Sequence, residues 1–209
     1  MKKVFVLVVL FVLPVVAYLF FASGVNNFGR LPILTNTITD VSTVNSSVTF
    51  KDKISILGFL GSNLENKKGA AFNLNQKIYK RFYEFKDFQF VMVVPKGTEN
   101  QIKVLKQELS TLAPIEKWKF VFTEEKEVRS IFNSLETGLT LDAFLSTPYV
   151  FIVDKDANLR GRTNDEDEGT KHGFNANSVA DLNNKMEDDV KIILAEYRMA
   201  LKKNAAQRK

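Results

Sequence analysis

The chain has 209 residues, a hydrophobic fraction of 45%, a charged fraction of 25%, a formal charge of +5 and no cysteine. Disulfides, thiolate nucleophiles and cysteine-ligated metal sites are therefore excluded. Much of the excess positive charge lies at the two ends, in Lys2, Lys3, Lys202, Lys203, Arg208 and Lys209, and elsewhere bases are interleaved with acids, so nucleic acid is not an expected partner.

Residues 4–22 are almost wholly apolar, with Lys2 and Lys3 ahead of them and no further charge until Arg30. About 20 such residues in a helix cross a hydrocarbon core of ~30 Å, and Pro14 is tolerated there with a kink. The positive-inside rule keeps the N-terminus cytoplasmic and sends the rest outside. A cleaved signal peptide is the competing reading. Its apolar region is usually shorter, and Phe20 and Phe21 crowd the passable Ala22-Ser23-Gly24 site. The uncleaved anchor is favoured, and both readings export the domain to a periplasmic or other extracytoplasmic space. The expected division is an anchor or signal over 1–23, a tether over 24–47 and a domain over 48–205. Within the tether, the apolar patch Leu31-Pro32-Ile33-Leu34 is expected to pack on the domain as a short edge segment.

Residues 54–60, Ile-Ser-Ile-Leu-Gly-Phe-Leu, read as a buried strand. A polar loop over 61–73 follows. Leu74, Ile78, Phe82 and Phe85 then mark one face of an amphipathic helix. A second strand spans 88–94 and ends at Pro95-Lys96-Gly97. Ile102, Leu105, Leu109 and Leu112 mark a second helix closed by Pro114. A short strand at 119–122 and a short helix carrying Val128, Ile131, Phe132 and Leu135 come next. A strand at 149–153 turns through 154–158 into a return strand at 159–162. The last helix, about 178–203, carries Val179, Leu182, Met186, Val190, Ile193, Tyr197 and Leu201 on one face. Ser178 or Asn177 can cap it, and Asp181 at its start and Lys202 and Lys203 at its end suit its dipole. It is expected to pack on the core, with a coiled-coil surface as the alternative for its distal half. Alternating strands and helices closed by a hairpin imply an α/β fold with a central mixed β-sheet flanked by helices.

Residues 146–161, Ser-Thr-Pro-Tyr-Val-Phe-Ile-Val-Asp-Lys-Asp-Ala-Asn-Leu-Arg-Gly, resemble the thioredoxin superfamily, where a Thr-Pro pair precedes an apolar strand, an Asp-containing turn and a return strand. With the N-terminal anchor and the strand-loop-helix start, the sequence is most similar to the Sco/SenC group of membrane-anchored copper chaperones, over roughly 48–203. The resemblance implies a thioredoxin-like fold and a cis Thr147–Pro148 bond facing the loop after the first strand. The departures are decisive for chemistry. The family carries Cys-x-x-x-Cys in that loop, whereas residues 61–72 here hold none, and Ser146 stands nearest the family's metal-binding histidine. Thiol redox cycling and soft-ligand copper(I) binding are thus removed. No catalytic residue, cofactor or metal ligand is assigned.

Some polar residues remain as candidates. Ser62, Asn63, Glu65, Lys67 and Lys68, in the loop that carries the active site of redox relatives, form a possible partner-binding surface. His172 is the single histidine, beside Asp165, Glu166, Asp167 and Glu168. A hard cation could bind this run weakly, although it lacks the order of a calcium loop and reads better as a solvated acidic loop. Arg160 and Arg162 fall on one face of the return strand and read as surface charge able to pair with the acidic run. The expected function is a membrane-anchored, extracytoplasmic, non-catalytic binding or assembly module with a protein partner, by resemblance a respiratory or envelope complex. The alternative is weak metal handling through His172, its carboxylate neighbours and Met186. A cysteine-free enzyme finds no nucleophile–base pair.

Overall fold

The computed structural model describes residues 29–207, with side chains through Leu201, and ahead of them only Val6, residues 9–16 and Tyr18. Nine of the nineteen residues of the predicted membrane segment, 4–22, therefore lie outside the described residues. Those of its residues that are described are helical and expose their apolar side chains, Leu10 at 65% and Leu13 at 62%. Among the described residues no helix is long and apolar enough to cross a membrane.

The chain runs β1 (Ile33–Thr35), β2 (Ile54–Leu60), helix α1 (68–82), β3 (Phe88–Pro95), α2 (Glu99–Ser110), β4 (Trp118–Thr123), α3 (Glu125–Asn133), β5 (Ser146–Val153), β6 (Leu159–Arg160), β7 (Arg162–Asp165), β8 (Gly169–Lys171), β9 (Phe174–Asn175) and α4 (179–207). Both α1 and α4 contain a π-helical turn, at Asn75–Tyr79 and Leu182–Met186. The main sheet has the order β1-β6-β5-β2-β3-β4, with β9 also paired to β5. β2, β3 and β4 are mutually parallel, and β5 lies antiparallel to β2. Parallel neighbours need crossovers, which α1 and α2 supply. The sequence-based expectation of a central mixed sheet flanked by helices therefore holds.

β2 and β3 are apolar without alternation because both sheet faces are covered. On one face Ile54, Ile56, Phe90 and Met92 pack with Ala71, Ile78, Leu105, Met186 and Val190 from α1, α2 and α4. On the other, Leu57, Phe59, Val91 and Val93 pack with Val128, Ile131 and Phe132 of α3. That second face is completed by Ile38, Val41, Val48 and Phe50. The tether expected over 24–47 is thus part of the fold from Leu31 onward, because these apolar residues cover a sheet face that α3 alone leaves open. The patch around Leu31 behaves as expected: β1 pairs with β6 at the sheet edge.

Two further expectations are corrected. α1 begins at Lys68, not near Leu74, since Ala70 and Ala71 are small enough to bury a further turn against the core. The return strand breaks at Gly161, where a Cβ would stand 2.3 Å from the Lys171 carbonyl oxygen, so Arg160 and Arg162 belong to different sheets.

Candidate functional site

The loop after β2, where the sequence resemblance would place redox chemistry, is clasped shut in this chain. Gly61 leaves β2 with φ +68°. A Cβ there would lie 2.3 Å from the Phe144 carbonyl oxygen and 2.7 Å from Ser146 Cβ, so only glycine lets the two segments meet. The Ser62 backbone N–H donates to the Phe144 carbonyl at 2.9 Å. The facing segment is organised by Asp142. Its carboxylate accepts from the backbone N–H of Phe144 at 2.9 Å, from that of Ser146 at 2.9 Å and from the Ser146 hydroxyl at 2.6 Å. Burial raises the pKa of Asp142, but the Ser146 and Phe144 hydrogen bonds and Lys67 outweigh it, and the net shift is downward. Lys67 approaches Asp142 at 3.6 Å.

Of the predicted loop residues, Ser62 and Lys67 reach this clasp. Glu65 and Lys68 meet each other at 3.0 Å, and Lys68 also meets Glu108 of α2 at 3.2 Å. These two carboxylates hold the Lys68 ammonium above its ordinary pKa. Asn63 is half-buried beside them. Ser62 and Glu65 are exposed and Asn63, Lys67 and Lys68 half-buried, in a segment that includes the 3₁₀ turn Glu65–Lys67 rather than being an open loop throughout. Sequence reasoning missed Gly61, Asp142 and Leu145. The usable signals were a glycine closing an apolar strand and an Asp two residues before a backbone donor, the pattern of an Asx turn.

Ser146, which stands nearest the family's histidine position, is 1% exposed and pairs with Leu60. Its hydroxyl donates to Asp142, and it has no opening through which to attack a substrate. The Thr147–Pro148 bond is trans, against the expected cis isomer. The chain turns earlier, at Leu145 with φ +62°, so that Ser146–Val153 already runs extended and Pro148 offers its carbonyl to Ala176 N–H at 2.8 Å as a strand residue. Trans, the lower state of an X–Pro bond, suits that strand.

The metal candidates do not converge. His172 is half-buried between β8 and β9, Met186 is fully buried in the core, and among the described residues no group of three or more His, Asp or Glu could hold an ion. The acidic run is an ion-paired hairpin. Asp165, buried, takes Lys185 at 2.7 Å, which draws its pKa down to about 2, and Lys185 also meets Asp167 at 2.6 Å. The arginines are structural as well. Arg160, 8% exposed, donates to Asp154 at 3.0 Å, Glu196 at 2.7 Å and the Leu31 carbonyl at 2.7 Å. Arg162 holds Asp189 through two hydrogen bonds of 2.8 and 2.9 Å.

The topology is that of an α/β protein with a mixed central sheet flanked by helices, and the chain has no cysteine for thiol–disulfide chemistry. No family model matches the chain, and no curated protein is similar to it. Solved structures do resemble it. A thiol:disulfide interchange protein from Bacteroides sp. is 17% identical, over 78% of this chain and 91% of that one, with a TM-score of 0.45. A thioredoxin-family thiol:disulfide interchange protein from Chlorobium tepidum is 17% identical, over 79% and 98%, with a TM-score of 0.46. A SCO1/SenC family lipoprotein from Bacillus anthracis is 13% identical, over 79% and 96%, with a TM-score of 0.45.

Proposed function

We propose that this chain is a non-catalytic binding or assembly module: a thioredoxin-like domain tethered at a membrane on its extracytoplasmic side. A protein partner is engaged through the surface formed by Ser62, Asn63, Glu65, Lys67 and Lys68. The observation that carries the reading is the clasp of Gly61, Asp142 and Ser146, which closes the position of redox chemistry with hydrogen bonds and leaves its rim polar and accessible. The apolar run 4–22 behind Lys2 and Lys3 supports the tether and its orientation. The resemblance to the Sco/SenC group supports a respiratory or envelope complex as partner.

The test places a photoreactive side chain at Glu65 in the full chain, in its native membrane, with Lys51 at the opposite end of β2 as control. One partner captured reproducibly from position 65 and not from 51 is expected. Capture from neither position, or equally from both, removes the proposal. Carbonate extraction with a mass measurement of the mature chain separates the anchor from a cleaved signal.

A further inference from the structure

β4 ends the main sheet: among the described residues no strand pairs with its outer side. Its inner side is fixed by the hydrogen bonds from Phe90 N–H to the Lys117 carbonyl and from Lys96 N–H to the Thr123 carbonyl. Alternation along a parallel ladder then turns the backbone groups of Phe120 and Phe122 outward. Beside the N-terminal half of this edge lies a groove of about 590 Å³, walled by Ser47 and Val48 on one side and by Ser110 and Pro114 on the other, with Trp118 and Phe120 in its floor. Trp118 is 4% exposed, and its indole N–H has no acceptor. A buried indole donor normally finds one.

Charge along the edge is polarised. Lys117 and Lys119 lie at the N-terminal end of β4, and Glu124 and Glu125 follow its C-terminal end. Lys119, Glu124 and Glu125 are exposed. The glutamates hold only surface ion pairs, with Lys96 and Arg129, of the kind that contributes little and exchanges readily.

We propose that a second copy of this chain occupies the edge, with the two β4 strands antiparallel about a two-fold axis through Val121. Phe120 of one copy then exchanges both backbone hydrogen bonds with Phe122 of the other, in both directions. Lys119 stands opposite Thr123 of the second copy, and Lys117 opposite its Glu125. Trp118 stands opposite its Glu124, on the same sheet face, which brings a carboxylate toward the orphaned indole N–H. The two-fold axis makes one patch self-complementary, basic end to acidic end. Moving the axis to Phe120 keeps the ladder but sets Glu116 opposite Glu124, and moving it to Phe122 sets Lys126 rather than Glu124 opposite Trp118. An edge lysine ordinarily discourages pairing; here it faces a threonine, with Glu125 of the second copy diagonal to it on the same face.

The experiment is sedimentation velocity on the detergent-solubilised full chain from about 1 to about 300 μM, the range of a weak to moderate association. A monomer–dimer equilibrium is expected. Lys119→Glu and Glu125→Lys each weaken it several-fold, since the two lie diagonally on one sheet face and each like-charge juxtaposition occurs twice in the dimer. Combining them in one chain restores part of it. Phe122→Pro abolishes the dimer, because it removes an outward N–H that β3 does not use. Far-ultraviolet circular dichroism checks that each variant is folded. A wild type monomeric throughout, or a dimer indifferent to both the charge reversals and Phe122→Pro, overturns the proposal.

Discussion

Gly61→Ala probes the clasp most directly, with Gly97→Ala as its internal standard. Both glycines have positive φ, +68° and +88°. An alanine in this region costs about 1–2 kcal/mol, offset by about 0.4–1 kcal/mol because alanine also restricts the unfolded chain. At Gly97 a new Cβ meets nothing within 4 Å, so backbone strain is the whole effect and Gly97→Ala should cost about 1 kcal/mol. At Gly61 the Cβ would lie 2.3 Å from a backbone oxygen, and only movement of the 142–146 segment relieves it. That movement lengthens the Ser62-to-Phe144 hydrogen bond and disturbs those around Asp142, each worth about 1 kcal/mol. The sum is about 3–4 kcal/mol, or roughly 10 °C in Tm for a domain of this size. Urea denaturation of the three proteins, followed by tryptophan fluorescence and circular dichroism, measures the difference. If Gly61→Ala costs no more than Gly97→Ala, the two segments are not in close approach and the closed site is wrong.

Three other outcomes follow from the same geometry. Arg160→Met removes the partner of Asp154 and Glu196, whose side chains are 6% and 18% exposed, and unpaired buried charge should cost about 3–5 kcal/mol by calorimetry; Arg160→Lys should recover only part of this, since an ammonium cannot reproduce the guanidinium fork. Asp165 has a folded pKa drawn down from 3.8 to about 2 by Lys185, so its contribution is present above pH ~4 and lost as the pH falls toward 2. The acid limb of a Tm-versus-pH curve should flatten in Asp165→Asn, and an unchanged limb would refute the pairing. Asp142→Ala frees the amides of Phe144 and Ser146, and hydrogen exchange should rise there while β3 stays protected. Uniform protection in that variant would show that Asp142 does not organise the segment.

The regular elements were legible because their causes are local. A mostly apolar run gave β2 at 54–60, the same residues that form the strand, and β3 within one residue of its end. The three- and four-residue spacings of Ile102, Leu105 and Leu109 on α2, and the four-residue spacings of Leu182, Met186 and Val190 on α4, place one face against the sheet whatever the surrounding chain does. The missing cysteines were equally visible, and they remove thiol chemistry by composition alone. Ser178 also reads correctly as a cap: its side chain accepts from Asp181 N–H.

The site and the polar interior belonged to the tertiary structure. Arg160 and Arg162 have the sequence appearance of surface charge, and only the approach of α4 makes Arg160 a buried partner of Glu196 and holds the half-buried Arg162 on Asp189. Residues 36–47 are polar and irregular enough to read as tether, yet Ile38 and Val41 are core because a sheet face needs cover. The trans Pro148 and the left-handed Leu145 depend on the same distant fact, that Gly61 comes back against Phe144. Contacts between residues some 80 apart carry no period and no propensity. They arise when the sheet brings the end of β2 beside the start of β5, and the hydrogen bonds formed there decide which residues can act and which only hold the fold.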